Sequence, residues 1–275
     1  MSGAALVTGC SSGIGLRTAI TLARNGYRVH AAVRSPERAE DLQAAAESFD
    51  LRVVRLDVTD HASVAAAVSE AGAFDVVVNN AGIGMFGAVE AMSDSDLRLV
   101  FDTNFFGALA VIRAVLPGMR ARGRGVIVNV GSVDACLPGR PMTWSYAASK
   151  HALGVATEGL ALEVEPFGIR VRQLDPGFFA TSILDNRMRR AEGADAAEGP
   201  YSMFRQAMES AVAANVAAAG DPQEVADAVL AAVTDQRTFP VRRLVGGDAE
   251  QAVAEVHGVD ERTSAQQWKD AVGLT

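Results

Sequence analysis

Lysine is nearly absent: of the 25 basic residues in this 275-residue chain, only Lys150 and Lys269 are lysine. Cysteine is as scarce. Cys10 and Cys136 cannot build a disulfide framework and suit a reducing, cytoplasmic setting. The four histidines, His30, His61, His151 and His257, show no metal-ligand spacing, so no metal site is expected. Acidic residues number 33, and the net charge of −8 argues against nucleic acid as a partner. No apolar run approaches the ~18 residues of a membrane span. No basic, apolar, cleavable leader precedes the first motif at Thr8. With 49% hydrophobic residues the composition is that of a globular chain, which removes disorder and low complexity.

What is present is an alternation. Ala4–Thr8, Arg28–Val33, Val53–Leu56, Val76–Asn79, Val126–Val130, Arg170–Leu174 and Arg243–Val245 are predicted strands. Their nearly continuous apolar character suits strands buried on both faces of a parallel sheet. Helical patterns lie between them: Gly13–Asn25, Pro36–Glu47, Ala62–Glu70, about Ser93–Arg122, about Ser145–Glu165 and Pro222–Val233. Repeated βα units imply right-handed crossovers and an α/β, doubly wound Rossmann fold. Its parallel sheet should have about seven strands, with helices on both faces. No linker or repeat divides residues 1–275, which are expected to form one domain. Two stretches break the rhythm. Residues 178–220, with Gly193, Gly199 and Pro200, form an insertion predicted to be a lid over the substrate. The tail after Gly246 is mostly polar and weakly helical.

The loop after the first strand reads Thr8-Gly9-Cys10-Ser11-Ser12-Gly13-Ile14-Gly15. Glycines there let the backbone turn tightly and approach a pyrophosphate, and the following helix offers free N–H groups and a positive dipole end. The single domain is therefore expected to bind a dinucleotide. A carboxylate ending the second strand would hold an adenosine ribose 2′-hydroxyl, whereas arginine would neutralise a 2′-phosphate. Here the strand ends Ala32-Val33-Arg34-Ser35, with no carboxylate before Glu37. The expected cofactor is NADP(H), with Arg34, Ser11 and Ser12 near the extra phosphate.

Tyr146 and Lys150 stand at i and i+4, on one helix face. With so few lysines and tyrosines, such a pair arises by chance in only about 2% of chains of this composition. A phenol exchanges protons poorly at neutral pH, and a nearby ammonium should lower its pKa towards working pH. Tyr146 is thus a candidate acid and base. Ser132 follows the fifth predicted strand, at the sheet edge where doubly wound folds bind ligands. Asn104, in Asp102-Thr103-Asn104-Phe105-Phe106-Gly107, is an asparagine inside an apolar helix. It needs partners there, as a satisfied core amide or as the holder of a relay water.

In order along the chain, these motifs resemble the short-chain dehydrogenase/reductase family. The glycine loop is spaced Gly-x-x-x-Gly-x-Gly, and Asn79-Asn80-Ala81-Gly82, Asn104, Ser132, Tyr146/Lys150 and Pro176-Gly177 with Thr181 follow, to about Gly247. The resemblance implies that Asn104, Ser132, Tyr146 and Lys150 form a catalytic tetrad, and that the domain is catalytic. It also implies cofactor contacts from Gly9, Ser11, Ser12, Gly13, Ile14, Gly15 and Arg34. Asp57 and Val58 would lie by the adenine, Asn80, Ala81 and Gly82 by its ribose, and Pro176, Gly177, Phe179 and Thr181 along the nicotinamide. The wording of the glycine loop, Ala32-Val33-Arg34 and Asp221–Ala226 are similar to the 17β-hydroxysteroid and retinol dehydrogenase-like branch. One departure stands out: Ser132 and Tyr146 are 14 positions apart, one more than the family's usual spacing.

The expected activity is an NADPH-dependent ketoreductase that reduces a hydrophobic ketone or aldehyde to an alcohol. The alternatives are alcohol oxidation by the same site, or a non-catalytic NADP(H)-sensing protein. Candidate substrate contacts are Met85, Phe86, Leu137, Met142, Trp144, Phe178, Phe179, Met203 and Phe204. The family resemblance also implies a homodimer or homotetramer, assembled through the two long helices.

Overall fold

Successive residues of each central strand point to opposite sides, and the core is divided accordingly. A computed structural model describes residues 3–181, 188–191, 199–271 and 273. In β1 (Ala4–Thr8), Ala5 and Val7 face one apolar layer and Leu6 the other. The pattern repeats in β4 (Val76–Asn79), where Val76 and Val78 oppose Val77. It repeats again in β6 (Gly125–Val130), where Val126 and Val128 oppose Ile127. With β2 (Arg28–Val33), β3 (Leu51–Arg55), β7 (Ile169–Pro176) and β9 (Arg242–Val245), these strands form one parallel sheet ordered β3-β2-β1-β4-β6-β7-β9. All seven strands of the expected sheet are present.

The first layer is covered by α1 (Gly13–Arg24) and α8 (Pro222–Thr234), whose Leu22, Val225 and Val229 are fully buried. Between β2 and β3 runs α2 (Glu40–Ser48), with Leu42 in that same layer. The opposite layer receives α3 (His61–Ala71), α5 (Gly107–Arg122) and α6 (Trp144–Val164) through Val64, Val111, Val115 and Ala161. Strand order reverses at β1, which pairs β2 on one side and β4 on the other. That switch point opens a crevice at the carboxyl ends of β1 and β4, the usual ligand position in such sheets.

The long helix expected near Ser93–Arg122 is continuous but not uniform. Ser93 caps α4 (Asp94–Phe101) by accepting the Asp96 N–H at 3.1 Å. A π turn, Asp102–Phe106, then widens the helix before α5. By length and composition this 29-residue helix could cross a membrane. Charges are scattered through it, so no unbroken apolar run reveals it in the sequence. Val111, Ile112, Val115 and Met119 press against the sheet, which is the position of a core helix.

The expected lid region leaves and re-enters the fold at one place. Gly220 N–H donates to Phe178 O at 3.0 Å, and Ala180 N–H donates to Gly220 O at 2.9 Å. Within it, β8 (Met188–Arg190) pairs in parallel with β5 (Gly84–Phe86), and α7 (Ser202–Ala217) follows. Neither short strand is predicted by the sequence pattern. Gly193 and residues 182–187 lie outside the described residues. The tail forms α9 (Gly247–Val256) and α10 (Glu261–Ala271).

Candidate active site

The glycine loop is locked by its neighbour strand. Thr8 Oγ1 accepts the N–H groups of Asn80 and Ala81 at 3.0 and 3.1 Å. Asn80 Nδ2 donates back to Thr8 O and Gly9 O. Asn80 thus holds the loop's shape. Gly9 and Gly13 have φ of 74° and 57°, a region unfavourable to other residues. A Cβ on Gly9 would lie 2.8 Å from Ala81 Cα, and one on Gly13 would lie 3.2 Å from Thr181 Cβ. The helix α1 that follows has no side-chain cap and no acidic residue in its first turn. Tight glycines, an uncapped helix start and the switch-point crevice together fit a pyrophosphate.

The other expected cofactor residues follow the carboxyl ends of neighbouring strands. Arg34 is exposed at the end of β2, and its carbonyl accepts a hydrogen bond from Arg55 at 3.0 Å. Arg55 also pairs with Glu37 at 3.0 Å, so the nearest carboxylate is neutralised. Arg55 escapes sequence reasoning because it comes from the end of a different strand. Asp57 closes its own turn, accepting from Thr59 N and Oγ1 at 3.0 and 2.8 Å. Val58 buries its side chain in the core beside α5. Ile14, Asn80, Gly82, Pro176, Gly177, Phe179 and Thr181 line one cavity of about 320 Å³ together with Ser132, Tyr146 and Lys150.

Three of the four expected catalytic residues meet in that cavity. Ser132 and Tyr146 line the cavity together and the Ser132 hydroxyl acts on the Tyr146 phenol, so the loop between them absorbs its additional residue. Within that loop Met142 has a φ of 66°, rare for a residue with a side chain. Lys150 Nζ donates to Val130 O at 2.8 Å and sits 5.8 Å from the Tyr146 ring centre. The buried Lys150 ammonium is pulled down to about 8 by loss of solvent, against the opposing pull of Asp175 and Asp134. The Tyr146 hydroxyl moves the other way from expectation. Burial, reinforced by Asp134, pushes it above the ordinary phenol range, and the nearby Ser132 hydroxyl recovers only part of this. Lysine proximity alone does not outweigh the desolvation.

Asn104 lies on the π turn just behind. Its Oδ1 accepts the Ile83 N–H at 2.9 Å, and its Nδ2 donates to Ile83 O and Ser149 Oγ at 2.9 and 3.0 Å. Both amide hydrogens are committed, as a satisfied core amide requires. Asn104 Oδ1 and Lys150 Nζ nonetheless flank Gly82, at 3.4 and 3.7 Å from where its Cβ would be.

Behind Ser132 stands a fully buried carboxylate. Asp175 Oδ1 accepts from Ser132 N at 3.2 Å and from Gln173 Nε2 at 2.7 Å. Its other oxygen takes Arg242 Nε at 2.9 Å, which supplies the compensating charge. Arg242 also touches Cys136, whose thiol is pushed up by burial and the Asp175 charge, against nucleophilic use.

Of the expected substrate contacts, Met85, Phe178 and Phe179 line the cavity. Phe86, Met142 and Phe204 instead pack together beside it, and Leu137 packs with Val133 and Ala249. Trp144 Nε1 bonds Gly87 O, while Met203 is exposed. Residues not anticipated from sequence also line the cavity: Asp134, Arg140, Met208 and Val212 of α7, and Trp268 of α10. The helical period of the insertion marks an apolar face but not which neighbour it meets.

Comparison with known proteins follows the same lines. Residues 3–192 match the family model described as short chain dehydrogenase. The chain is 37% identical over 249 residues to an uncharacterized oxidoreductase of Bacillus subtilis, YusZ, covering 88% of each. It is 34% identical to human 17-beta-hydroxysteroid dehydrogenase type 1, over 87% of this chain and 79% of that one. Human retinol dehydrogenase 8 is 43% identical, but over only 65% of this chain and 59% of its own length. Among solved structures, a short-chain dehydrogenase from Streptomyces avermitilis superposes with a TM-score of 0.84 at 33% identity, covering 98% and 96% of the two chains. A Burkholderia phymatum family member in complex with NAD gives 0.80 at 26%, covering 97% and 95%. One from Burkholderia cenocepacia in complex with NADP gives 0.75 at 27%, covering 97% of each chain.

Proposed function

The chain belongs to the short-chain dehydrogenase family and is an NAD(P)-dependent oxidoreductase, and from that premise we propose that it is an NADPH-dependent ketoreductase. Its substrate is a hydrophobic ketone or aldehyde. The observation that carries this reading is the convergence of Ser132, Tyr146 and buried Lys150 on one largely apolar cavity, with Lys150 Nζ 5.8 Å from the Tyr146 ring centre.

A nicotinamide bound in the crevice would supply the hydride. Ser132 and Tyr146 donate hydrogen bonds to the carbonyl oxygen, and Tyr146 gives up its proton as the carbon is reduced. A phenol held neutral by burial suits that direction, because it starts with the proton on. The Lys150 ammonium, anchored on Val130 O, stabilises the phenolate left behind. Asn104 Oδ1 retains a lone pair for a water that returns the proton by way of Lys150. Lys150 would also hold the nicotinamide ribose.

NADPH is favoured over NADH because Arg34 follows β2 with Arg55 of the neighbouring strand end bonded to its backbone carbonyl, while Glu37 is already paired. Relatives that act on retinol and steroid substrates support a bulky apolar ligand and the 17β-hydroxysteroid/retinol branch.

Two experiments test this. Fluorescence titration of the purified protein should give tighter binding of NADPH than NADH, and Arg34→Ala should abolish the difference. A wild type preferring NADH rejects the cofactor assignment. Tyr146→Phe should retain NADPH binding and lose ketone reduction by about 10²-fold or more; undiminished turnover rejects the mechanism.

A further inference from the structure

The cavity contains a charge for which this reaction has no use. Asp134 lies two residues beyond Ser132, in a short 3₁₀ turn (Val133–Ala135) that projects it among the lining residues. Its backbone N–H is bonded to Ser132 Oγ at 3.2 Å. Its carboxylate has one long hydrogen bond, from Ser132 Oγ to Oδ2 at 3.4 Å. Arg140 lines the same cavity and Lys150 and His151 act on Asp134 through space. Even so, no cation among the described residues comes within 4 Å of it. Half-buried, the carboxyl is pushed up by loss of solvent while it faces the cavity.

Contrast Asp175, a few residues deeper. There a buried carboxylate is held by Arg242, Gln173 and the Ser132 N–H. The fold satisfies one carboxylate and leaves the other facing the cavity. Apolar packing would be cheaper at Asp134 unless something that enters the cavity completes it.

We propose that Asp134 is a substrate-binding residue, and that the substrate carries a hydrogen-bond donor, hydroxyl or ammonium, on the carbon next to its carbonyl. This rests on the ketoreductase reading above. Geometry sets the position of the donor. A carbonyl oxygen seated on Ser132 and Tyr146 is about 2.7 Å from each hydroxyl. Asp134 Oδ2 is 3.4 Å from the same Ser132 oxygen, so it faces the first atoms beyond the carbonyl and not the distal chain. Met85, Phe178, Met208, Val212 and Trp268 offer the remainder of the ligand only apolar contact.

Three ketones of similar size test the proposal with purified enzyme and NADPH: 3-decanone, 2-hydroxy-3-decanone and 2-methoxy-3-decanone. The methoxy compound keeps the oxygen and removes the donor. Wild type should favour the hydroxyketone over the methoxyketone by about tenfold or more in kcat/KM, as sites built for a substrate hydroxyl do. Asp134→Asn should reduce that ratio to within about threefold, with Asp134→Ser as a second variant and NADPH titration as the check on folding. A wild-type ratio near one overturns the proposal, as does a ratio that survives both substitutions. Reduction of 3-decanone without any donor preference defeats the inference alone. Reduction of none of the three, with either NADPH or NADH, defeats the ketoreductase reading and the inference with it.

Discussion

Lys150 combines a necessary charge with a site that disfavours charge. Burial brings it down to about 8, whereas the exposed side chain of the unfolded chain titrates near 10.5. Between those values the unfolded state binds more protons, so the contribution of Lys150 to stability rises with pH across that window. Activity runs the other way. In reduction, kcat/KM for NADPH reports the free enzyme and should fall above about pH 8 as the ammonium is lost. Lys150→Arg should remove that fall, since a guanidinium remains charged, although at lower activity throughout. A pH–rate profile of both proteins checks this. Tyr146 and Lys150 are legible in sequence because i, i+4 spacing on a helix is itself a contact. Asp134 and Arg55 are not. Arg55 meets residues from the end of another strand, and Asp134 meets its own loop and the start of α6, so only the folded site brings each to its neighbours.

At the scale of elements, the π turn converts an awkward residue into a tie between two elements. Asn104 joins α5's lead-in to Ile83 before β5 and to Ser149 in α6. Asn104→Ala would leave the Ile83 N–H and C=O without these partners. The expected loss is about 2 kcal/mol in denaturant unfolding, with a lower kcat. Gly13→Ala belongs here too, because the loop and helix start act as one device. It forces a side chain to adopt φ of 57° against Thr181, and NADPH affinity should fall by about tenfold or more with the fold retained. Isothermal titration alongside circular dichroism separates those effects. The glycine loop is readable because backbone conformation is a local property. By contrast β5 and β8 are three residues each and lie 104 positions apart from start to paired start, at Gly84 and Met188. Periodicity has nothing to act on over such lengths.

Across the whole molecule a polar chain crosses the parallel sheet. Asn79 of β4 donates to Asn129 of β6, and Asn129 donates to Thr157 of α6, which donates to Gln173 of β7. Gln173 leads to Asp175, and Asp175 to Arg242 on β9. Arg242→Ala would strand a carboxylate with no solvent exposure, at a cost of about 3–5 kcal/mol, read as a lowered Tm. The sheet order is accessible from sequence because βα alternation and crossover handedness leave few arrangements. This polar chain is not, since its members are spread from residue 79 to residue 242 among apolar strands. The outer face of α6 has its own consequence: Val155 and Leu162 are 70% and 62% exposed. If copies associate through the long helices as proposed, Val155→Arg together with Leu162→Arg should shift sedimentation towards the monomer without altering secondary structure.

The stitch between Phe178 and Gly220 turns the intervening chain into a cassette. Its two ends are already joined by backbone hydrogen bonds, so its length can change without moving the strand before it or the helix after it. Beyond Thr181, which stays with the glycine loop, this part of the chain is therefore free to diverge in what it encloses while the rest of the crevice keeps its place. Chimeras exchanging this cassette among relatives should keep their host's cofactor and acquire the donor's ligand range.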